Sequence, residues 1–405
     1  MPQVSLPGSP VTGLRRGGGL RPGTARTSIA FFTLSLALLA LTACRPHDFP
    51  QYPPNYREYA YVTNGGSATV TILDVVNVRV DRELPVGQNP VGVAASPTRN
   101  EVYVVNSGAP GGSGSISVID AEHNTVVAGI PVGRQPASID VDPAGKLAYV
   151  ADSGSNAVSV IDLETRRELA RIGTGEEPVA VRLAPDGKTL VVANRQGNSV
   201  TLIDPASDRL RAVFEGCPGA AGVVILPDSS KTFIACSAGH QVMAIVFARP
   251  VEHLPDQLEA LMDVGRAPVD LALKPDGGEI FVSNSLSDSV SEIYNTTDEV
   301  GDTYLIGDDP VRGLVSRDNA LLYVANLRSQ YVTVYSIDDG KRVGSVHVGD
   351  GPAAMALSGA GHLLFVVDAR SDDVAVVRTA SGSLFTMLPA GRNPNAIAVK
   401  AFKMP

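Results

Sequence analysis

Four residues recur along this chain at a nearly constant interval: an aromatic or aliphatic residue, a β-branched residue, a small or aliphatic one, and then Asn or Asp. Copies begin at Tyr61, Tyr103, Tyr149, Val191, Phe233, Phe281, Tyr323 and Phe365, reading YVTN, YVVN, YVAD, VVAN, FIAC, FVSN, YVAN and FVVD. Successive starts lie 42, 46, 42, 42, 48, 42 and 42 residues apart. That interval is the length of one four-stranded blade and does not suit most helical repeats. A repeat running almost to the C-terminus of 405 residues points to one large closed domain rather than two or three ordinary ones. The absence of Trp argues against the WD40 sequence type, while 40 Gly, 29 Pro and only 19% charged residues suit short strands joined by tight turns.

One repeat shows the grammar. Residues 90–96 form a short strand, 97–100 a turn, 101–106 the motif strand, 115–120 (SISVID) a third strand and 125–132 a fourth that returns through Gly133. Other units turn between first and second strands with Pro185-Asp186-Gly187 or Pro275-Asp276-Gly277, where Pro presets φ and Gly accepts a positive one. Third strands alternate small polar with branched apolar residues, which buries the branched face. Their closing Asp120, Asp162 and Asp204 read as acceptors for the backbone of the next turn, not as catalytic acids.

With these repeats the chain resembles the YVTN-type β-propeller family, which includes the YncE-like proteins of bacteria and archaea, over roughly residues 58–401. The resemblance implies an all-β propeller of four-stranded antiparallel blades. It implies little about activity, because propellers host many unrelated ones. Each unit opens with a Gly-x-x-Pro strand whose Pro is read at 90, 136, 178, 218, 268, 310, 352 and 394. The unit at Tyr61 lacks one, and residues 391–399 repeat that strand with no motif strand after it. Pairing the last strand with residues 58–64 would complete a blade from both chain ends and remove two open sheet edges. The expectation is eight blades, with seven the alternative.

The N-terminus reads as an export signal. Residues 29–42 (IAFFTLSLALLALT) are apolar or small, follow Arg15, Arg16, Arg21 and Arg26, and lead into Leu41-Thr42-Ala43-Cys44. The run is short for a membrane span, and its end resembles the bacterial lipobox, which implies diacylglycerol on the Cys44 sulfur. The expected organisation is a signal peptide at 1–43, a Pro-rich tether at 44–57, the propeller at 58–401 and a tail at 402–405. The resemblance places the protein in the cell envelope, at the outer membrane if the cell is Gram-negative, since Arg45 is not the Asp that favours inner-membrane retention. Losing the four arginines takes the formal charge from −9 to −13, a balance against nucleic-acid partners.

The repeat varies most between Gly and Pro: Gln88 and Asn89, Arg134 and Gln135, Glu176 and Glu177, Cys217, Arg266 and Ala267, Asp308 and Asp309, Asp350 and Gly351, Arg392 and Asn393. These residues form the candidate ligand-binding rim. The Asx residues that end each motif strand read as turn caps. The fifth unit departs furthest, with Cys217 and Cys236 as the only cysteines besides Cys44. They sit at one end of neighbouring strands, so a disulfide and two thiols held apart by hairpin register are both open. The same unit carries an insertion in which the spacing of Leu258, Leu261 and Met262 after Pro255 suggests one or two helical turns.

Six histidines at 47, 123, 240, 253, 347 and 362 show no metal-ligand spacing, and no haem-attachment, nucleophile-elbow, phosphate-loop or HExxH motif occurs. No metal or cofactor is expected. The resulting expectation is a monomeric binding or scaffold protein that meets an envelope protein, peptide, saccharide or small molecule through its rim. The alternatives are a hydrolase or lactonase-like enzyme using rim carboxylates, and an accessory to a periplasmic redox system.

Overall fold

The computed structural model describes residues 52–249 and 253–404. The apolar run at 29–42, Cys44 and residues 45–51 lie outside the described residues, as do residues 250–252 of the fifth unit's insertion.

Eight four-stranded antiparallel sheets make up the described chain. Numbered as blades in chain order, blades II to VIII span residues 90–134, 136–173, 178–215, 220–263, 268–305, 310–347 and 352–389. Blade I takes its three outer strands from Tyr56–Asn64, Thr69–Asp74 and Arg79–Pro85, and its innermost strand from Pro394–Lys403 at the other chain end. Val62 pairs with Ile397 and Tyr61 with Ala398, so the anticipated closure is present. Two further bonds, Met404 N–H to the Asn55 carbonyl at 2.8 Å and Asn55 Nδ2 to the Met404 carbonyl at 3.1 Å, carry that ladder past the strand ends.

The motif strand explains the repeat. Its first residue faces the following blade: Tyr61 packs with Val102 and Val104 of blade II, and Phe365 with Ala60 and Val62 of blade I. The β-branched second residue faces the preceding blade, as Val150 does with blade II and Val62 with blade VIII. A strand buried on both faces must be apolar throughout, which is why YV and FV recur. Eight apolar clusters result, each shared by two neighbouring blades, the last joining blade VIII to blade I.

Two expectations need correction. Residues 257–263 form the outermost strand of blade V, not helical turns. That strand bulges at Glu259, between Leu258 opposite Ile245 and Ala260 opposite Ala244, and a bulge breaks the two-residue alternation so that apolar spacing imitates a helix. In the same blade the residue equivalent to the strand-opening Pro is Ala220, not Pro218: Ala220 pairs with Cys236 as Pro90 pairs with Asn106. Counting back three residues places Cys217 where the other blades have the Gly of Gly-x-x-Pro.

Candidate functional site

The loops that lead into the innermost strands and the turns that leave the motif strands lie at one end of the ring, and backbone bonds tie them together. The second variable residue of the Gly-x-x-Pro loop adopts a positive φ, for example +49° at Asn89, +47° at Gln135, +53° at Glu177, +59° at Asp309 and +50° at Asn393. Its carbonyl accepts from the backbone one residue beyond the Asx of its own blade's motif, as in Ser107 N–H to Asn89 at 2.9 Å and Arg195 N–H to Glu177 at 2.9 Å. The preceding carbonyl is held as well, by Gly108 N–H on Gln88 at 3.0 Å and Gly197 N–H on Glu176 at 2.9 Å. The rim is therefore a rigid frame whose first variable side chains project outward. Gln88, Arg134, Glu176, Arg266, Asp308 and Arg392 are exposed and Asp350 is half-buried. Of the second positions, Asn89, Gln135 and Asn393 are exposed, Glu177 is half-buried and Asp309 is buried.

The rim acids do not converge. Glu177 is paired with Arg195, Asp309 with Arg328 at 3.3 Å and Asp350 with Arg370 at 3.7 Å, each within its own blade. The Arg195 hydrogen bond holds the Glu177 carboxyl below the usual carboxylate range despite partial burial. An acid locked into its ionised form by a guanidinium is a poor proton donor. No group of three His, Cys, Asp or Glu side chains suited to a metal occurs among the described residues.

Beneath this end runs the axial channel, a cavity of about 490 Å³ lined by all eight innermost strands. Small and apolar residues dominate its wall. Sequence reasoning passed over three charged residues there, Arg182, Asp270 and Arg312, and a fourth, Asp140, on the innermost strand of blade III. Each breaks an otherwise apolar strand (PASIDV, PVAVRL, PVDLAL, PVRGLV), and that interruption was the available signal. Asp270 accepts Arg312 Nη1 at 2.7 Å and Gly313 N–H at 2.9 Å. Asp140 accepts Leu183 N–H at 2.8 Å and Val141 N–H at 3.1 Å, and Arg182 donates Nη1 to the Val181 carbonyl at 2.8 Å. Burial raises the Asp140 carboxyl above its ordinary range, opposed by the charge of Arg182 and by those two backbone donors.

A buried polar layer supports the rim from below. The motif Asx residues are buried and reach across to hydroxyls on the third strand instead of capping their own turn. Asn64 Nδ2 lies 2.9 Å from Thr71 Oγ1, Asn106 2.9 Å from Ser117, Asn194 2.9 Å from Thr201, Asn284 2.9 Å from Ser291 and Asn326 3.0 Å from Thr333. Over each Asx sits the loop Gly: a Cβ added at Gly87, Gly265 or Gly391 would come within 2.6 Å of the Asx side chain below it. Blade V fills this place covalently, because Cys217 at the Gly position is disulfide-bonded to Cys236 at the Asx position, with Cα atoms 4.8 Å apart. The third-strand hydroxyl is missing there, replaced by Met243.

Comparison with known proteins agrees with this architecture. A YNCE-like β-propeller family model matches residues 143–247. None of the curated proteins matches. Similar solved structures include hydrazine synthase of Kuenenia stuttgartiensis, 24% identical over 79% of this chain and 92% of that one with a TM-score of 0.56. The dihydro-heme d1 dehydrogenase NirN, in complex with DHE, is 15% identical over 93% of this chain and 88% of its own, with a TM-score of 0.71. AztD of Citrobacter koseri is 13% identical over 86% and 99%, with a TM-score of 0.64. Identities this low carry the fold and not the activity. The chain is an eight-bladed β-propeller, similar across residues 143–247 to the YNCE-like β-propeller family.

Proposed function

We propose that this protein is an exported, lipid-anchored binding propeller that holds an envelope protein or peptide against the end of the ring carrying the Gly-x-x-Pro loops. The observation that carries this reading is the contrast within each loop. Backbone bonds fix every loop in the same shape, while the outward side chains differ from blade to blade in charge and size. A rigid frame presenting varied side chains loses little entropy when a partner docks. Pairing of Glu177, Asp309 and Asp350 with arginines of their own blades favours binding over the hydrolase alternative, because it holds each of these rim acids within its own blade.

The disulfide within blade V suits an oxidising compartment, and the run at 29–44 supplies the export signal and lipidation site at Cys44.

Affinity capture with residues 45–405 from envelope extract tests the reading. One protein recovered in stoichiometric amount by the native chain, and lost when Arg134, Arg266 and Arg392 are together changed to Glu, is the expected result. Equal recovery by the two chains would remove the rim from the interface.

A further inference from the structure

We infer that the axial channel is a binding site for a small organic oxyanion, a carboxylate or phosphate ester with an apolar body, gripped by Arg182 and Arg312. This site lies inside the ring and does not depend on what the rim contacts. Within the opening six residues of the eight innermost strands, four charges appear, and they come as two acid and arginine sets on neighbouring blades. Asp140 and Arg182 stand on blades III and IV, Asp270 and Arg312 on blades VI and VII.

In each set the two partners have different fates. The aspartates are saturated: Asp270 by Arg312 and by the backbone of Gly313, Asp140 by the backbone of Leu183 and Val141. Asp270 is only 10% exposed in its side chain, against 46% for Arg312, and Arg182 is likewise exposed. Both arginines line the cavity, so their exposure is to its lumen. Arg312 commits only Nη1, to Asp270, and Arg182 only Nη1, to the Val181 carbonyl and, at 3.5 Å, the Ser138 hydroxyl. The Nε and Nη2 donors of both find no partner among the described residues. A guanidinium held from behind, with unused donors in a fixed fork, is the arrangement that recognises planar or tetrahedral oxyanions.

The rest of the wall sets the remainder of the ligand. Val93, Val223, Leu271, Met355 and Ile397 give the channel an apolar lining, and about 490 Å³ admits a molecule of aromatic-acid size. Arg182 sits four residues beyond its strand's opening Pro and Arg312 two residues beyond, so they act at different depths along the axis. One can take the head group while the other meets a second anionic group or the same one on its way in.

The test uses fluorine NMR on the mature chain, residues 45–405, with 4-fluorobenzoate, 4-fluorophenyl phosphate and neutral 4-fluorobenzyl alcohol as probes. Saturable binding of at least one anion at one site per chain, without binding of the alcohol, is expected, and the tighter anion names the head group. Arg182→Gln and Arg312→Gln should each weaken it at least about tenfold, and the double variant should abolish it. Arg134→Gln with Arg392→Gln, confined to the rim, should leave it unchanged, which separates this site from the proposed docking face. Should a glutamine variant fail to fold, Arg312→Lys keeps the charge but loses the fork, and a loss of at least about threefold is still expected. No saturable binding of either anion, equal binding of the alcohol, or arginine variants that bind as the native chain does would overturn the inference.

Discussion

At Asp152 and Asp368 the repeat keeps the shape of its buried Asx but not its charge. Five blades use Asn there, and its amide donates to a third-strand hydroxyl without any ionisable group being buried. Burial pushes the Asp152 carboxyl up to about 6, against the opposing pull of the Ser159 hydroxyl and Arg171. Asp368 is pushed higher still, first by burial and then by Asp373 beside it, because its blade has Ala375 where others place the hydroxyl. A carboxyl whose folded pKa is raised contributes stability that is complete below its unfolded value near 4 and is lost as pH climbs through the folded one. Stability should therefore fall from about pH 4 to pH 6 through Asp152 and continue to fall above that through Asp368. Asp152→Asn should match the native chain at pH 4 and exceed it at pH 7 by on the order of 2 kcal/mol. Denaturant unfolding of the single variants and of Asp152→Asn with Asp368→Asn, measured across pH 4 to 8, checks this, and an undiminished slope in the double variant would refute it.

Within a blade, the loop Gly and the motif Asx behave as one packing unit, and blade V shows a covalent version of it. Reduction, or Cys217→Ala with Cys236→Ala, removes the bond and leaves two short side chains in a fully buried place; a loss of about 2–4 kcal/mol is expected. Cys217→Gly, Cys236→Asn and Met243→Thr together rebuild the pattern of the other blades. That triple variant should regain most of the loss and become indifferent to reductant, with thermal unfolding with and without dithiothreitol as the measurement. A triple variant no better than the alanine pair would break the equivalence. Much at this scale was legible in the sequence: the motif strand, the Pro-Asp-Gly turns, and the Asp residues that end third strands, since Asp162 does accept Glu164 and Thr165 N–H at 2.8 Å each. The misread elements share a cause. Pro218 lies two residues ahead of the strand-opening position that Ala220 fills and so imitates the Pro landmark, and the bulge at Glu259 disguises a strand; in both, local residue type misleads where pairing register decides. The channel charges were missed because the rim loops vary more conspicuously, whereas a lumen residue is known only once eight strands from distant parts of the chain stand side by side.

For the ring as a whole, the decisive contact is between residues more than 300 apart. Each blade is a thin sheet whose apolar faces are covered only by its neighbours, and the eighth cluster, between blades VIII and I, exists only when the ends of the chain meet. Residues 394–403 serve three places at once: they pair with Tyr56–Asn64, Asn395 Nδ2 donates to the Pro90 carbonyl of blade II at 2.9 Å, and buried Lys400 donates to the Ser96 carbonyl at 2.7 Å. Contacts this distant in sequence carry a large closure entropy and form late, so folding should be limited by ring closure. A chain ending at Arg392 keeps thirty-one strands and loses the one that shuts the ring. It leaves the motif strand of blade I as an open edge and uncovers apolar surface of blades VIII and II. Its thermal transition should broaden and fall by at least about 10 °C, well beyond the few degrees per kcal/mol typical of a point change in a domain of this size. Adding a synthetic peptide of residues 393–404 should restore the transition in a concentration-dependent way, because the missing strand binds only the folded arc and shifts stability by mass action. A truncated chain that melts like the full one, or that ignores the peptide, would show that seven complete blades and a three-stranded remnant hold their shape without closure.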